Sequence, residues 1–311
     1  MPQPSISVVI TSYNYAHFLG ETIRSVLSQT RPAGEVIVVD DGSADDSVAV
    51  ARSFGDRVRV VEQPNQGVCV ARNNGARLAT GDVIAFLDSD DIWLPHKLER
   101  QAEAFRADPE VGLVSCGIRF FNPRGETIVE YNEGKSGWCA NDILLYKEPV
   151  LNTTASAVAV RRDVFEAAGG FDPRRELFAA EDREFAYRAA RLAKIAFIPE
   201  ILVDYRIHGA NGHLNIRQMD RALFFAYEKI FSGADEETLR LRRESYGNLH
   251  RMLAGCYFRR RDFAPFVKHA ARSLWLTPSS VKRFAAFPVR VVRRVAEGRR
   301  AGAARGGRGE D

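Results

Sequence analysis

The N-terminal part of the chain alternates between short apolar runs and longer segments in which apolar residues recur at helical spacing. The short runs, rich in β-branched residues, predict four buried strands: Ile6–Ile10, Glu35–Val39, Val58–Glu62 and Val83–Leu87. The intervening segments predict three helices: Phe18–Gln29, Ser43–Phe54 and Gly67–Ala79. Strand–helix alternation with short connections predicts an α/β fold built on a doubly wound, mostly parallel sheet of Rossmann-like type.

From about residue 111 the pattern becomes less regular. It predicts strands at Val111–Phe121, Thr127–Tyr131, Thr154–Arg161, Ala196–Ile198 and Leu202–Arg206, and helices at Arg162–Ala168 and Glu181–Leu192. Helical spacing continues from 215 to 275. We therefore expect one domain over 1–213, with halves 1–110 and 111–213, followed by a helical extension over 214–297. The end of the chain, 298–311, is rich in Gly, Ala and Arg and is expected to be a disordered basic tail.

The composition is that of a soluble globular protein, with 311 residues of which 45% are hydrophobic and 27% charged. The apolar runs are too short to span a bilayer, and the first residues lack the basic region and long apolar stretch of a secretory signal. We therefore expect a cytoplasmic protein. The four cysteines show no CxxC spacing and are expected to be buried free thiols: Cys69, Cys116, Cys139 and Cys256.

The formal net charge of +4 is unevenly distributed. Residues 251–311 hold 15 Lys or Arg against 4 Asp or Glu, a net of +11, which leaves −7 for the rest of the chain. In segment 281–295, cations surround Phe284 and Phe287. Two interpretations remain open for 280–300: peripheral contact with an anionic membrane surface, or a solvated terminal helix packed on the extension. No nucleic-acid recognition motif accompanies the charge, so no nucleic-acid partner is expected.

Polar loops directly follow three of the predicted strands. Thr11–Asn14 follows the first strand, Asp40–Ser43 the second, and Asp88–Asp91 the fourth. In open α/β sheets, ligands bind outside the carboxyl ends of the strands, which is where these loops lie. Carboxylates as close as those of Asp88–Asp91 repel each other, and a divalent cation relieves that repulsion. Taken alone, each acidic loop is equally typical of a turn or a helix cap.

Five motifs, in this order, resemble those of family 2 glycosyltransferases. They are Ile6–Asn14, Val36–Ser43, Asn65–Val68 with Ala71–Gly75, Phe86–Trp93, and Gly169–Asp172 with Glu181 and Asp182. The resemblance covers residues 5–212 and implies a GT-A fold and an inverting, metal-dependent enzyme that uses a nucleotide-diphosphate sugar, typically a UDP-sugar. It also implies Mn²⁺ or Mg²⁺ as cofactor. We expect a saccharide or lipid-linked saccharide acceptor, in bacterial surface-polysaccharide or glycoconjugate synthesis, and a location in the cytoplasm or peripherally on the inner face of the plasma membrane.

The resemblance also implies roles for individual residues on the nucleotide side. Thr11 and Tyr13 correspond to the loop that packs against the nucleobase and ribose. Asp41 corresponds to the carboxylate that reads the base, with Asp40 supporting its loop. Arg72 lies where a basic residue contacts the nucleotide.

The remaining roles concern the metal and the chemistry. Asp88-Ser89-Asp90 resembles the DxD motif, in which Asp90 is the expected metal ligand. Asp88 is expected either nearer the ribose or behind the metal ligand without touching the metal, and Asp91 is expected to cap a following helix. His208 is expected to help bind the metal and Arg206 the diphosphate. Asp182 corresponds to the general base, with Glu181 as the second candidate.

Structural interpretations stand beside these functional ones. A lone histidine such as His208 is more often structural than a ligand, and Asp182 also suits the first turn of a helix, where the dipole favours an acidic residue. A non-catalytic sugar-nucleotide-binding protein of the same fold is the alternative function. A nucleotidyltransferase would carry a Gly-rich basic loop where Thr11–Asn14 stands. No QxxRW motif follows Asp182, so a processive synthase is not expected.

Overall fold

A nine-stranded sheet organises the first part of the chain in the computed structural model, which describes residues 3–209, 215–281 and 284. Its strands are β1 Ile6–Ser12, β2 Glu35–Asp40, β3 Arg59–Glu62, β4 Val83–Asp88, β5 Ile92–Trp93, β6 Val111–Phe121, β7 Thr127–Tyr131, β8 Ala159–Arg161 and β9 Lys194–Arg206. The helices are α1 Ala16–Leu27, α2 Ser47–Arg52, α3 Val68–Leu78, α4 Lys97–Ala107, α5 Ala140–Leu145, α6 Arg162–Ala167, α7 Glu181–Ala190, α8 Ile216–Ser232, α9 Glu236–Arg259 and α10 Phe263–Leu276.

Parallel pairing builds the half of the sheet that the sequence predicts most clearly. β1 pairs in parallel with β2 and with β4, and β2 pairs in parallel with β3. Every residue of β1 is buried, because helices cover both faces of a parallel sheet. Val8 and Ile10 belong to the core that includes Leu19 and Ile23 of α1, whereas Val9 points to the other face and meets α3 at Gly75.

The second half of the sheet is mixed. The strand order is β3-β2-β1-β4-β8-β6-β9-β5, and β7 pairs with the last residues of β6, from Ile118 to Phe121. β8 runs antiparallel to β4 and β6, and β5 and β7 run antiparallel to their partners, while β6 and β9 are parallel. The α/β class with C-terminal helices is confirmed, and parallel pairing is concentrated in the half that precedes residue 89.

Several elements differ from the sequence prediction. The predicted strand Thr154–Arg161 is a strand only at Ala159–Arg161, after a 3₁₀ turn at Ala155–Ala157, and helices α4 and α5 were not predicted. Helix α2 begins at Ser47 instead of Ser43, because the Asp45 carboxylate accepts hydrogen bonds from Ser47 N and Oγ and from Ala16 N and so shapes a loop before the helix. Ile92–Trp93 is a strand that pairs with β9, where we expected a helix. Two predicted short strands are one strand, β9, whose pairing with β6 shifts register around Gly117.

The chain divides into two compact units, Met1–Ala234 and Asp235–Asp311. The first unit includes α8 and so extends past the boundary near 213 that the sequence analysis proposes. Side-chain contacts explain this. The buried Tyr227 of α8 donates a hydrogen bond of 2.7 Å to Leu144 O, and Lys229 Nζ lies 2.6 Å from Asp172 Oδ2 and 2.7 Å from Glu184 Oε1.

The described part of the second unit centres on α9 and α10. Asp235 caps α9 by accepting a hydrogen bond from Thr238 N. The two helices pack through a histidine pair, with His250 Nδ1 2.9 Å from His269 Nδ1, and the Tyr257 ring stacks on His269. None of the described helices combines the length and apolarity needed to cross a bilayer. The predicted basic segment 280–300 lies outside the described residues apart from Ser280, Val281 and Phe284, as does the predicted tail 298–311.

Gly75 provides a test of how α3 sits on the sheet. A Cβ atom at this position would lie 2.3 Å from Val9 Cγ1 and 3.1 Å from Val39 Cγ2. We therefore expect Gly75→Ala to lower the free energy of unfolding by about 1–3 kcal/mol through overpacking, measured by urea denaturation of the full chain. Gly20→Ala in α1 is the matched control, because its nearest neighbour would lie at 3.6 Å, and it should stabilise by about 0.5–1 kcal/mol. Equal effects at the two positions would contradict the close packing of α3.

Candidate active site

The acidic loops meet at one edge of the sheet because their strands are neighbours. Thr11, near the end of β1, is in register with Val39 of β2 and with Asp88 of β4. The carboxyl ends of the three strands thus bring the expected base-binding and DxD segments side by side. Tyr13, in the loop after β1, has 47% of its surface exposed, whereas Thr11 is buried within the sheet.

Asp41 is buried and holds the loop that leads into α3. Its Oδ1 accepts hydrogen bonds from Gln63 Nε2 at 2.7 Å and Gln66 N at 2.9 Å, and its Oδ2 accepts one from Gly67 N at 2.8 Å. Three donors from one loop satisfy much of this carboxylate. Asp41 therefore stabilises the loop that leads into α3, in addition to lining this edge of the sheet.

The Asp40 side chain forms hydrogen bonds within its own loop. Its two carboxylate oxygens accept hydrogen bonds from the backbone N–H and the hydroxyl of Ser43, which hold the loop closed. The Ser43 hydroxyl also accepts a hydrogen bond from Asn14 N, which ties this loop to the one after β1. At the end of β1, Ser12 Oγ is buried and has no hydrogen-bond partner among the described residues. A buried polar atom of this kind at the sheet edge fits a ligand-binding role.

Two side-chain hydroxyl groups hold the Asp88–Asp91 segment in place. Thr22 Oγ1 lies within hydrogen-bond distance of both Ser89 O and Asp91 O. Ser156 Oγ accepts a hydrogen bond from Asp88 N and donates one of 2.6 Å to Asp91 Oδ2. Ser89 is itself buried, so its contribution is through the backbone of the loop.

Asp91 does not cap a helix, and that expectation was wrong. The residue precedes strand β5, is completely buried, and accepts hydrogen bonds from Ser156 Oγ and Arg206 N. Burial, reinforced by the charges of Asp90 and Asp88, raises the pKa of Asp91 well above its usual range, although the two hydrogen bonds oppose the rise. The two hydrogen bonds lock the loop to β9 through Arg206.

Asp90 and His208 lie side by side, as the sequence analysis proposes. His208 Nε2 is 2.9 Å from Asp90 Oδ2, and 12% and 13% of the two side chains are exposed. Arg206 is next to them and donates from Nε to Asp90 O at 3.0 Å. Its guanidinium also pairs with Glu21 and lies over the Phe18 ring. Arg206 at the end of β9 and His208 just after it thus lie beside the Asp88–Asp91 segment.

The residues present fit a divalent cation that arrives with its substrate. Among the described residues, no group of three or more His, Cys, Asp or Glu side chains could hold a metal ion. Mg²⁺ usually takes only one or two protein carboxylates and completes its shell with water and substrate phosphates. Asp90 with His208 matches that requirement, whereas a closed protein cage does not occur in this part of the molecule.

Arg72 joins the DxD segment to the expected base. Its Nη1 lies 2.8 Å from Asp182 Oδ1 and its Nη2 lies 2.7 Å from Asp88 Oδ1. The residue is only 3% exposed, and its guanidinium lies over the Phe171 ring, 5.2 Å from the centroid. Burial lowers its pKa, but Asp182 and Asp88 more than offset this and raise it well above the ordinary value. Arg72 is therefore a permanent buried cation between two carboxylates, and the expected contact with a nucleotide stays a prediction.

Asp182 lies in the first turn of α7 and faces this cation. Its Oδ2 accepts a hydrogen bond of 3.2 Å from Ala155 N, and 22% of its side chain is exposed. Burial raises the pKa of Asp182 to about 7, and Glu181 and Asp88 add to the rise, while Arg72 and the Ala155 hydrogen bond lower it. A carboxyl group with this pKa exchanges a proton near neutral pH, which suits a general base.

Glu181, the second candidate base, is engaged in other contacts. Its Oε2 accepts a hydrogen bond from Ala179 N, whose residue adopts the left-handed region with φ 80°. Its Oε1 is 3.9 Å from Arg72 Nη1, compared with 2.8 Å for Asp182 Oδ1. Glu181 thus shapes the turn that precedes α7.

Three residues of this site were missed by the sequence analysis. Ser156 links Asp88 to Asp91, and its short segment of small residues offers no recognisable signal. Tyr15 and Tyr205 lie close to the acidic loop: burial and the charges of Asp90, Asp88 and Asp91 raise the pKa of Tyr15 to about 12, and burial with the same carboxylates raises that of Tyr205 further. Tyr205 stands in the Tyr-Arg-Ile-His segment, so its position beside His208 was the available clue.

Comparison with known proteins agrees with this geometry. The model of the family described as "Glycosyl transferase family 2" matches residues 7–169. An uncharacterized glycosyltransferase of Nostoc sp. is 39% identical over 217 residues, covering 68% of this chain and 67% of its own. The putative teichuronic acid biosynthesis glycosyltransferase TuaG of Bacillus subtilis is 41% identical over 165 residues, covering 52% of this chain and 63% of its own.

Two solved structures share the fold. The mannosyltransferase PcManGT of Pyrobaculum calidifontis, in complex with GDP-Man and Mn²⁺, has a TM-score of 0.63 at 20% identity, covering 94% of this chain and 81% of its own. TarS 1–349 of S. aureus, in complex with UDP-GlcNAc, has a TM-score of 0.62 at 17% identity, covering 89% and 82%. At these identities the likeness concerns the fold, and it confirms the expected GT-A architecture.

The role of Asp41 in holding its loop can be tested directly. Asn at this position offers one acceptor oxygen in place of two, so at least one of the three donors from Gln63, Gln66 and Gly67 loses its partner. We expect Asp41→Asn to lower the free energy of unfolding by about 1.5–3 kcal/mol and to speed amide hydrogen exchange at Gln66 and Gly67. Asp56→Asn, at an exposed position, is the control and should stay within about 0.5 kcal/mol of the unsubstituted chain. Unchanged exchange at both amides would refute this role.

Proposed function

The chain belongs to glycosyl transferase family 2, and we propose that it transfers a sugar, with inversion, from a UDP-sugar to an acceptor hydroxyl. One observation carries the proposal: Arg72 holds the carboxyl groups of Asp88 and Asp182 on either side of a single cation at the sheet edge. The carboxyl groups proposed for donor binding and for proton removal thus share one cation. The family match and the relatives that bind nucleotide-sugars support the same conclusion.

Asp182 is the proposed general base. Inversion requires one in-line displacement, in which the acceptor oxygen forms its bond to the anomeric carbon as the bond from that carbon to the diphosphate oxygen breaks. The proton of the acceptor hydroxyl passes to the Asp182 carboxylate, and the nucleoside diphosphate leaves with the bonding electron pair. A pKa of about 7 lets the carboxylate accept this proton near neutral pH and release it to water between turnovers.

The proposed donor site combines the three loops of the sheet edge. Thr11 and Tyr13 pack against the nucleobase and ribose, Asp41 reads the base and holds its loop, and Asp88 faces the ribose with Ser89 beside it. Arg72 supports this site by fixing Asp88. UDP is the proposed nucleotide because of the UDP-GlcNAc complex of TarS, while the GDP-Man complex of PcManGT makes guanosine donors the main comparison.

Asp90 and His208 are the proposed protein ligands of Mn²⁺ or Mg²⁺, and Arg206 is the proposed partner of the diphosphate. When bound, the metal would neutralise negative charge on the leaving diphosphate. Arg206 is held near this position by its bond to Asp90 O and by the Phe18 ring, and it would exchange its ion pair with Glu21 for the diphosphate. The protein therefore contributes orientation and fixed positive charge around the leaving group.

The proposed acceptor is a saccharide or a lipid-linked saccharide of a surface polysaccharide or glycoconjugate. The relationship to TuaG, whose name places it in teichuronic acid biosynthesis, supports this class. The proposed location is the cytoplasm, with the membrane's inner face as the place where a lipid-linked acceptor would be met.

Donor binding tests the proposal first. We expect UDP-sugars, offered in a panel with GDP-sugars, to raise the melting temperature of the protein only when Mn²⁺ or Mg²⁺ is present. In His208→Ala the metal concentration needed for half of this shift should rise about tenfold or more, because one of two protein ligands is lost.

His96→Ala is the control, because His96 is exposed and bonds only to Thr30 and Glu99 on the α4 side. Absence of any metal-dependent binding across the panel would overturn the proposal. Binding without sugar transfer or donor hydrolysis would favour a non-catalytic nucleotide-sugar-binding protein.

The base is tested by substitution and by pH. Asp182→Asn should lower the transfer rate about 10²–10⁴-fold with little change in donor affinity. In the unsubstituted enzyme, kcat/KM should rise with pH and level off above about pH 7, since burial raises the pKa of Asp182 to about 7 and only the deprotonated carboxylate accepts a proton.

Glu181→Gln serves as the matched comparison, because Glu181 stands next in the chain but bonds to Ala179 N. It should retain most of the activity, with the pH profile moved to lower pH, because the Glu181 charge contributes to the raised pKa of Asp182. A larger loss in Glu181→Gln than in Asp182→Asn would reverse the two assignments.

A further inference from the structure

The exposed face of α10 has an unusual composition. Seven exposed positions follow helical spacing along one side of the helix: Phe263, Ala264, Val267, Lys268, Ala271, Arg272 and Trp275. Phe263 is 56% exposed, Val267 60% and Trp275 68%. The face combines large apolar side chains with two cations and contains no carboxylate. A solvent-facing helix surface ordinarily carries polar and charged residues of both signs.

Packing against α9 determines which side of α10 faces solvent. The opposite side of α10 is buried against α9, where His269 and Ser273 are 3% and 0% exposed. His269 lies 2.9 Å from His250 and stacks on the Tyr257 ring. Because these contacts fix the rotation of the helix, Phe263, Val267 and Trp275 are held away from the core of their own unit.

A basic cleft adjoins the C-terminal half of the face. Arg240, Arg242 and Arg243 of α9 and Arg272 of α10 line a cavity of about 450 Å³, together with Tyr246 and His250. Arg272 belongs to both surfaces, and its guanidinium lies 5.9 Å from the Trp275 ring. Arg243 donates from Nε to Leu276 O, which fixes the end of α10 beside the cleft.

The second unit carries a net positive charge, as do the exposed face of α10 and the adjoining cleft. Residues 235–311 contain 18 Lys or Arg against 8 Asp or Glu, a net of +10, while the remainder of the chain holds 26 against 32, a net of −6. Nine of the 18 cations precede residue 282 and therefore belong to the part of the unit that carries α9 and α10. A field of this kind attracts an anionic surface.

We propose that this face of α10 and the adjoining arginine cleft dock the protein on an anionic lipid bilayer. Phe263, Val267 and Trp275 enter the boundary between headgroups and acyl chains, and Lys268, Arg272 and the cleft bind lipid phosphates. An amphipathic surface with apolar residues and cations binds such membranes through buried apolar area and electrostatic attraction together, and tryptophan is favoured at the membrane interface.

A bilayer fits this surface better than a second copy of the chain. Two copies joined through the same face would bring Lys268, Arg272 and the cleft arginines of both close together, and like charges in contact oppose association. An anionic bilayer instead supplies opposite charge to the cations and an apolar layer to the aromatic and aliphatic side chains. The proposal does not depend on the sugar-transfer reaction, and it concerns residues that precede the basic segment 281–295.

Vesicle flotation of the full chain tests the proposal. We expect co-flotation with vesicles of equal parts phosphatidylcholine and phosphatidylglycerol, weak flotation with phosphatidylcholine alone, and a partial loss at high salt because salt screens the electrostatic part. The double variants Val267→Glu/Trp275→Glu and Lys268→Glu/Arg272→Glu should each reduce binding by about tenfold or more. Nucleotide-sugar binding in the same variants provides a readout of intact folding that is independent of lipid.

Matched controls change equally exposed residues elsewhere. Leu192→Glu and Arg124→Glu alter an exposed leucine and an exposed arginine of the first unit, and they should float like the unsubstituted protein. A third variant, Arg290→Gln/Arg293→Gln/Arg294→Gln, removes cations from the following segment and should retain the larger part of the binding.

Three outcomes would overturn the proposal. The first is no preference for anionic vesicles. The second is full binding by both α10 double variants, with loss only in the Arg290/Arg293/Arg294 variant, which would assign membrane contact to the later segment. The third is a concentration-dependent dimer that Val267→Glu/Trp275→Glu abolishes in a protein that does not float, which would assign the face to self-association.

Discussion

The site depends on one buried cation. Arg72 reaches Asp88 at the end of β4 and Asp182 at the start of α7 with the two ends of a single guanidinium. It thus couples the parallel half of the sheet to a helix that lies between β8 and β9 of the mixed half. Removing one partner from a buried ion pair leaves an uncompensated charge and typically costs about 3–5 kcal/mol. The same contact therefore contributes to the fold and sets the electrostatic conditions of the chemistry. Its Nε atom has no acceptor among the described residues. The hydrogen bonds of the guanidinium to these two carboxylates are made through Nη1 and Nη2.

Around this cation the carboxyl groups are made chemically different by their surroundings. Asp91 is completely buried, has a strongly raised pKa, and accepts hydrogen bonds from Ser156 and from Arg206 of β9. Asp182 is partly accessible, and its pKa of about 7 reflects burial opposed by Arg72. Asp90 instead contacts the His208 imidazole. These three acidic side chains thus differ through desolvation and through the identity of their nearest partner.

The sequence predicts those parts that rest on local periodicity and on motifs. The strands β1 to β4 follow from β-branched runs, and the assignment of Asp90 and His208 to one metal site follows from motifs that resemble those of the family. Contacts between distant parts of the chain are not readable in this way. Ser156 joins Asp88 to Asp91 from a short 3₁₀ turn of small residues, and Ile92–Trp93 becomes a strand only because β9 is there to pair with it. The exposed apolar face of α10 is likewise invisible until packing against α9 determines which side is buried, since periodicity alone does not say which face a helix presents to solvent.

Lys229 of α8 has a consequence for how this fold can be inherited. It pairs with both Asp172, the last residue of the Gly169–Asp172 motif, and Glu184, a buried carboxylate of α7 that Arg188 also contacts. The motifs end before this lysine, yet the charge balance beneath Asp182 includes it. A gene fusion that joined the motif-bearing region to a new partner just after the last motif would leave Glu184 with Arg188 alone and would remove the side chain that links α7 to Asp172. A junction placed after α8 keeps this contact.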